Sequence, residues 1–111
     1  MKIVVKKHVL DRLHQYFPSE RRRDARRKVK QEIINGEEVS FHHLDMFGFK
    51  VWWRDHFIRF ENRVYVVKIY PEKAKAKKSM VAVTLLRKLT EIEVEYFEDH
   101  PAARVSSKYS L

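Results

Sequence analysis

The sequence predicts an α+β domain in which two N-terminal helices pack on a four- to five-stranded antiparallel sheet. Two observations carry this expectation. Apolar residues recur three to four apart as far as Asn35-Gly36, and beyond that point aromatic and β-branched segments of strand length take over. Helices segregated from strands along a chain mark an α+β domain with its helices on one face of the sheet. The 111 residues suit one domain, placed at residues 1–98, followed by a C-terminal tail at 99–111.

Each element has its own signature. Ile3-Val4-Val5 reads as a short edge strand or as the lead into the first helix. Val9, Leu10, Leu13 and Phe17 define an amphipathic helix over residues 8–17. Pro18-Ser19 closes it, and Ser19 serves as N-cap of a second helix over residues 20–35, with Glu20 in its first turn. The inward stripe of that helix is Ala25, Val29 and Ile33, with Ile34 beside it. Gly36 supplies the left-handed residue that ends it. Val39-Ser40-Phe41 starts the sheet, and residues 47–53, 57–60, 63–70 and 80–87 read as strands. Glu61-Asn62 reads as a two-residue hairpin turn, with Asn62 accepting positive φ. Residues 71–78 (PEKAKAKK) read as a polar loop. Charged and apolar residues alternate over 90–97, which suggests a last strand, with a short helix as the alternative.

Charge is the strongest functional signal. Lys and Arg number 24 against 15 Asp and Glu, a net +9 that concentrates polyanions around the protein. Between positions 21 and 30 the chain reads RRRDARRKVK. With Ala25, Val29 and Ile33 facing the core, Arg21, Arg22, Arg23, Arg26, Arg27, Lys28 and Lys30 spread over the remaining helix surface, opposed there by Asp24 alone. Like charges at i,i+4 cost about 0.2–0.5 kcal/mol per pair, a repulsion that an approaching anion relieves. Arginine forks also match phosphate geometry. Lys73, Lys75, Lys77 and Lys78 form a second cluster on the loop. Against this stands the plain reading of a solvated charged face, but such faces normally mix signs. A nucleic acid, RNA favoured over DNA, is the expected partner. Phosphate contacts of this kind position a protein without reading sequence.

Other function classes find little support. The absence of cysteine removes disulfides and thiolate metal sites and fits a reducing cytoplasm. No apolar run reaches the ~20 residues needed to span a bilayer. The opening Met1-Lys2-Ile3-Val4-Val5-Lys6-Lys7-His8 returns to charge too soon for a signal-peptide core. A cytoplasmic protein without membrane contact is expected. Neither a phosphate-binding glycine loop nor a nucleophile-elbow motif is present, and the six histidines lack metal-ligand spacing. No cofactor and no metal are expected. The aromatics Phe47, Phe49, Trp52, Trp53, Phe57 and Phe60 fill a core or offer stacking platforms to unpaired bases. In a strand, the adjacent Trp52 and Trp53 face opposite ways.

A metal-free ribonuclease needs a base for the 2′-hydroxyl proton, an acid for the leaving oxygen, and cations for the phosphorane. His8 suits the acid or base, Arg12 (with Arg54 or Arg87) the charge, and Thr84 a phosphate oxygen. His8 and Arg12 at the opening of the first helix, a second helix ending in Asn-Gly, and later strands over 64–70 and 80–87 resemble small domains of the barnase–EndoU–colicin–RelE type. These include RelE-like toxins and phage relatives. The resemblance spans the layout of residues 6–89. It implies two helices on an antiparallel sheet, metal-independent endoribonuclease activity in many members, and His8, Arg12 and Thr84 as site residues. It also brings in a protein partner such as an antitoxin or host enzyme. The alternative is a small phage-type interaction factor that binds a host enzyme without catalysis.

Overall fold

Helices cover both faces of a single five-stranded sheet in the structure of the chain, a computed structural model that describes residues 2–18, 22–72 and 77–100. The side chains of residues 22, 23, 71, 72, 77 and 78 lie outside that description. The elements run β1 (Lys2–Val5), α1 (Lys7–Tyr16), α2 (Arg22–Asn35), β2 (Glu37–Glu38), α3 (Phe41–Met46), β3 (His56–Phe60), β4 (Arg63–Glu72), β5 (Lys77–Leu85) and α4 (Glu91–Asp99). Strand order is β1-β5-β4-β3-β2. The α+β class is as expected, but the sheet is mixed rather than antiparallel. β2 through β5 pair antiparallel, while β1 runs parallel to β5 with Lys2 opposite Ser79 and Val5 opposite Ala82. Nothing local in the first five residues announces a partner so far along the chain.

The face under α1 and α2 holds one core. Val9, Leu10 and Leu13 from α1 and the expected stripe Ala25, Val29 and Ile33 from α2 meet Val5, Ile58, Tyr65, Val67, Met80, Ala82 and Leu85. Ile34 falls outside the stripe and is exposed. The opposite face carries a second core, built from Val39, Leu44, Phe49, Phe57, Val64, Val66, Leu89 and Phe97 under α3 and α4. Helices were expected on one face only. Of the two further helices, α3 holds Phe41, expected at the start of the sheet, with residues 42–46, and α4 comes from the segment read as a last strand or a short helix. Ser40 caps α3 by accepting from the His42 amide at 3.2 Å, and Gly48 at φ 87° turns the chain away after it. Residues 47–53 therefore form no strand, and Phe49 and Val51 fill the second core from a loop. In α4 the Thr90 hydroxyl accepts from the Glu93 amide, and the Glu93 carboxylate accepts from the Thr90 amide. This reciprocal cap resolves residues 90–97 in favour of the helix. The helix runs to Asp99; residues 101–111 and the Ser19 cap lie outside the described residues.

Two turns obey different rules from those expected. Gly36 does end α2, but not through positive φ. A Cβ there would lie 2.7 Å from the Arg59 and Glu32 carbonyl oxygens and 2.8 Å from Ile58 Cγ2, so glycine is required by close approach to β3. At the β3–β4 hairpin it is Glu61, with φ 54°, that takes the left-handed conformation rather than Asn62. The polar loop at 71–78 is shorter than expected, because β4 continues to Glu72 and β5 starts at Lys77.

Candidate nucleic-acid interface

α2 is held to the sheet by more than its apolar stripe. Glu32, one turn before the helix end, points inward and is buried. Its carboxylate accepts from Arg63 Nε and Nη2, each at 2.7 Å, and from the Tyr65 hydroxyl at 2.5 Å. Burial and this carboxylate push the Tyr65 hydroxyl above the ordinary tyrosine range. The guanidinium of Arg63 also lies 5.1 Å from the Phe17 ring centre and 5.7 Å from that of Phe60. The sequence shows no sign of this network, since its partners come from α2 and β4.

With Glu32 turned inward, the outer surface of α2 carries its cations with Asp24 as the one exposed carboxylate of the helix. Arg26 and Arg27 are exposed, Lys28 and Lys30 half-buried. Lys28 has an interaction of its own. Among the described residues, no carboxylate pairs with Arg26, Arg27 or Lys30. The backbone of Arg22 and Arg23 belongs to α2. Lys77 and Lys78 open β5. The side chains of these four lie outside the description. Arg21, Lys73 and Lys75 lie outside the described residues altogether.

The three residues suggested for chemistry are not brought together. His8 is exposed in the first turn of α1. Arg12 spends its guanidinium on structure: Nη1 donates to the Leu85 carbonyl at 3.1 Å and to the Tyr16 hydroxyl at 3.4 Å, tying α1 to the end of β5. Thr84 pairs with Val66, whose side chain belongs to the second core. Paired residues of an antiparallel ladder share a face. Thr84 therefore lies across the sheet from His8 and Arg12. A bulge at Val66/Val67 accommodates the extra residue Val83 and sets this orientation. Arg87 is engaged too, donating to both Glu93 oxygens at 2.9 and 3.0 Å and lying 4.0 Å from the Phe49 ring centre. Its hydrogen bonds hold the Glu93 carboxyl below the usual range.

The tryptophans occupy a turn ahead of β3 instead of a strand, and both are exposed, Trp52 by 52% and Trp53 by 64%. Arg54 places its guanidinium carbon 5.5 Å from the Trp52 ring centre and 5.0 Å from that of Trp53. Lys68 Nζ lies 5.2 Å from the Trp52 ring centre and 3.0 Å from Asp55 Oδ1. A cleft of about 480 Å³ opens beside Trp53, with Phe41, Arg54, Asp55 and His56 along it. Along its lining, His56 Nδ1 lies 2.8 Å from Oε2 of the buried Glu38. A second cleft, of about 440 Å³, is lined by Glu91, Glu95 and Glu98 of α4 and repels anions. Among the described residues no helix is long and apolar enough to cross a membrane, and no group of three or more histidines and carboxylates is placed to hold a metal ion. Comparison with known proteins gives no significant match to a protein-family model, a curated protein or a solved structure.

Proposed function

We propose that the chain is a nucleic-acid-binding protein that grips the phosphate backbone with the outer face of α2 and does not cut it. One observation carries this reading: Arg26, Arg27 and Lys30 crowd one helix, and no acid of the described residues pairs with them. A bound phosphate backbone relieves their repulsion and releases its own counterions. The separation of Thr84 from His8 and Arg12 by the sheet, and the use of the Arg12 guanidinium on the Leu85 carbonyl, speak for binding without cleavage.

Fluorescence anisotropy of labelled oligonucleotides over a range of salt concentrations tests the reading. Each phosphate neutralised contributes about −0.7 (single strand) to −0.9 (duplex) to the slope of log K against log salt. Arg26→Ala/Arg27→Ala is expected to flatten that slope by about 2, one unit per lost cation, and to weaken all sequences alike. RNA incubated with the wild type in EDTA is expected to stay intact. Failure to bind at low salt, together with capture of a host protein that survives high salt and nuclease, would instead establish the interaction-factor reading.

A further inference from the structure

The exposed tryptophans adjoin a part of the sheet that no helix covers among the described residues. Ile3, Val5, Val67, Ile69, Met80 and Ala82 pack toward α1 and α2. Side chains alternate along a strand, so Lys2, Val4, Lys68, Tyr70 and Val81 present to the other face. The second core includes none of these five, because α3 and α4 cover the half of that face nearer the β3–β4 hairpin. Val4 and Tyr70 are exposed in consequence. Lys68 links this open strip to Trp52, and Arg54 sits against both indoles. The result is a surface of flat rings and cations on the face opposite α2.

Scattered apolar side chains on a surface need no explanation, but adjacent exposed tryptophans with cations at their rings do. The geometry points to this surface as a site for single-stranded nucleic acid, with unpaired bases stacking on Trp52 and Trp53 while Arg54 takes the phosphate between them and Lys68, held by Asp55, fixes the Trp52 ring. Such a ligand combines the two chemistries the surface offers: flat apolar faces and regularly spaced negative charge. A duplex buries its base faces and cannot use the rings. Stacking on an indole accepts any base, so the site selects strandedness rather than sequence. RNA is the richer source of unpaired bases. The assignment rests on the nucleic-acid reading above and names its substrate class, while using residues that the α2 contact does not.

The chain has two tryptophans, so its tryptophan fluorescence reports this surface alone. The full chain is titrated with an unlabelled oligouridine, with oligothymidine of equal length, and with a duplex. Binding of labelled forms of the same three is followed in parallel by anisotropy. Quenching by the single strands but not by the duplex is expected. Trp52→Ala and Trp53→Ala should each weaken single-strand binding about tenfold and leave duplex binding unchanged. Trp52→Phe and Trp53→Phe should retain most of the affinity and show which ring is quenched. A larger effect of oligouridine than of oligothymidine assigns the site to RNA, and equal effects assign it to single strands of either sugar. Single strands that bind by anisotropy without quenching, and with affinity unaltered by the alanine variants, overturn the site while the α2 interface stands. Should the wild type bind none of the three, both fall together.

Discussion

Glu32, Arg63 and Tyr65 show how a single buried group organises a strongly charged chain. The Glu32 carboxylate takes both arms of the Arg63 fork and the Tyr65 hydroxyl, all in the layer between α2 and β4. Removing one partner strands a buried charge. Arg63→Met is expected to cost about 3–5 kcal/mol in urea denaturation, and Glu32→Leu added to it should recover much of the loss. A double variant as unstable as Arg63→Met alone would show that the pair is not the cause. Tyr65 adds a pH signature. Its folded hydroxyl titrates above the ordinary 10.0, so the unfolded chain ionises first as pH rises. The stability it contributes is complete below pH 10 and falls above it, by up to about 1.4 kcal/mol per pH unit. Denaturation at pH 9 and pH 11 should show a smaller alkaline loss for Tyr65→Phe than for wild type. Equal losses in the two would remove Tyr65 from the account.

At the scale of elements, α2 serves two opposing demands. Its Ala25, Val29 and Ile33 stripe and the inward Glu32 fasten it to the sheet, while its outer cations repel one another. Arg26 stands four residues from both Arg22 and Lys30. Arg26→Glu turns two repulsive pairs into attractive ones and should stabilise the free protein by about 1–2 kcal/mol. The same change should weaken nucleic-acid binding. Opposite signs in the thermal melt and the binding curve are the expected result. A variant that is both less stable and equally tight would contradict the role given to α2. The stripe itself was legible in the sequence because helical periodicity is local. The inward turn of Glu32 was not, since a carboxylate beside a basic run reads equally well as a surface counter-charge.

Across the whole molecule the helices on the two faces differ in charge. Cationic α2 covers one face, while α4 on the other carries Glu91, Glu93, Glu95, Glu98 and Asp99 with no Lys or Arg. A net +9 on a chain of this size makes the compact state self-repelling, and the contrast between the two helices steers a polyanion away from α4 and toward the cationic surfaces during approach. Salt should therefore act in two directions. Raising NaCl from low millimolar to about 0.5 M shortens the screening length to a few ångströms. It should raise the melting temperature of the free protein while slowing association with nucleic acid. A melting temperature that falls steadily with added NaCl would place the dominant charge interactions among attractive pairs instead.

The amino-acid sequence by itself determined the α1 and α2 stripes, the β3–β4 hairpin at Glu61-Asn62 and the concentration of cations on α2. All of these depend on neighbours within a few positions, where periodicity, turn chemistry and charge spacing act directly. Tertiary structure alone decided that β1 lies parallel to β5, that helices cover both faces, that Thr84 lies across the sheet from His8 and Arg12, and that both tryptophans share one turn. Aromatic and β-branched residues fill a core equally well from a loop, a helix or a strand. Which of these they form, and which face they reach, is settled by burial against segments far away in the chain rather than by any local preference.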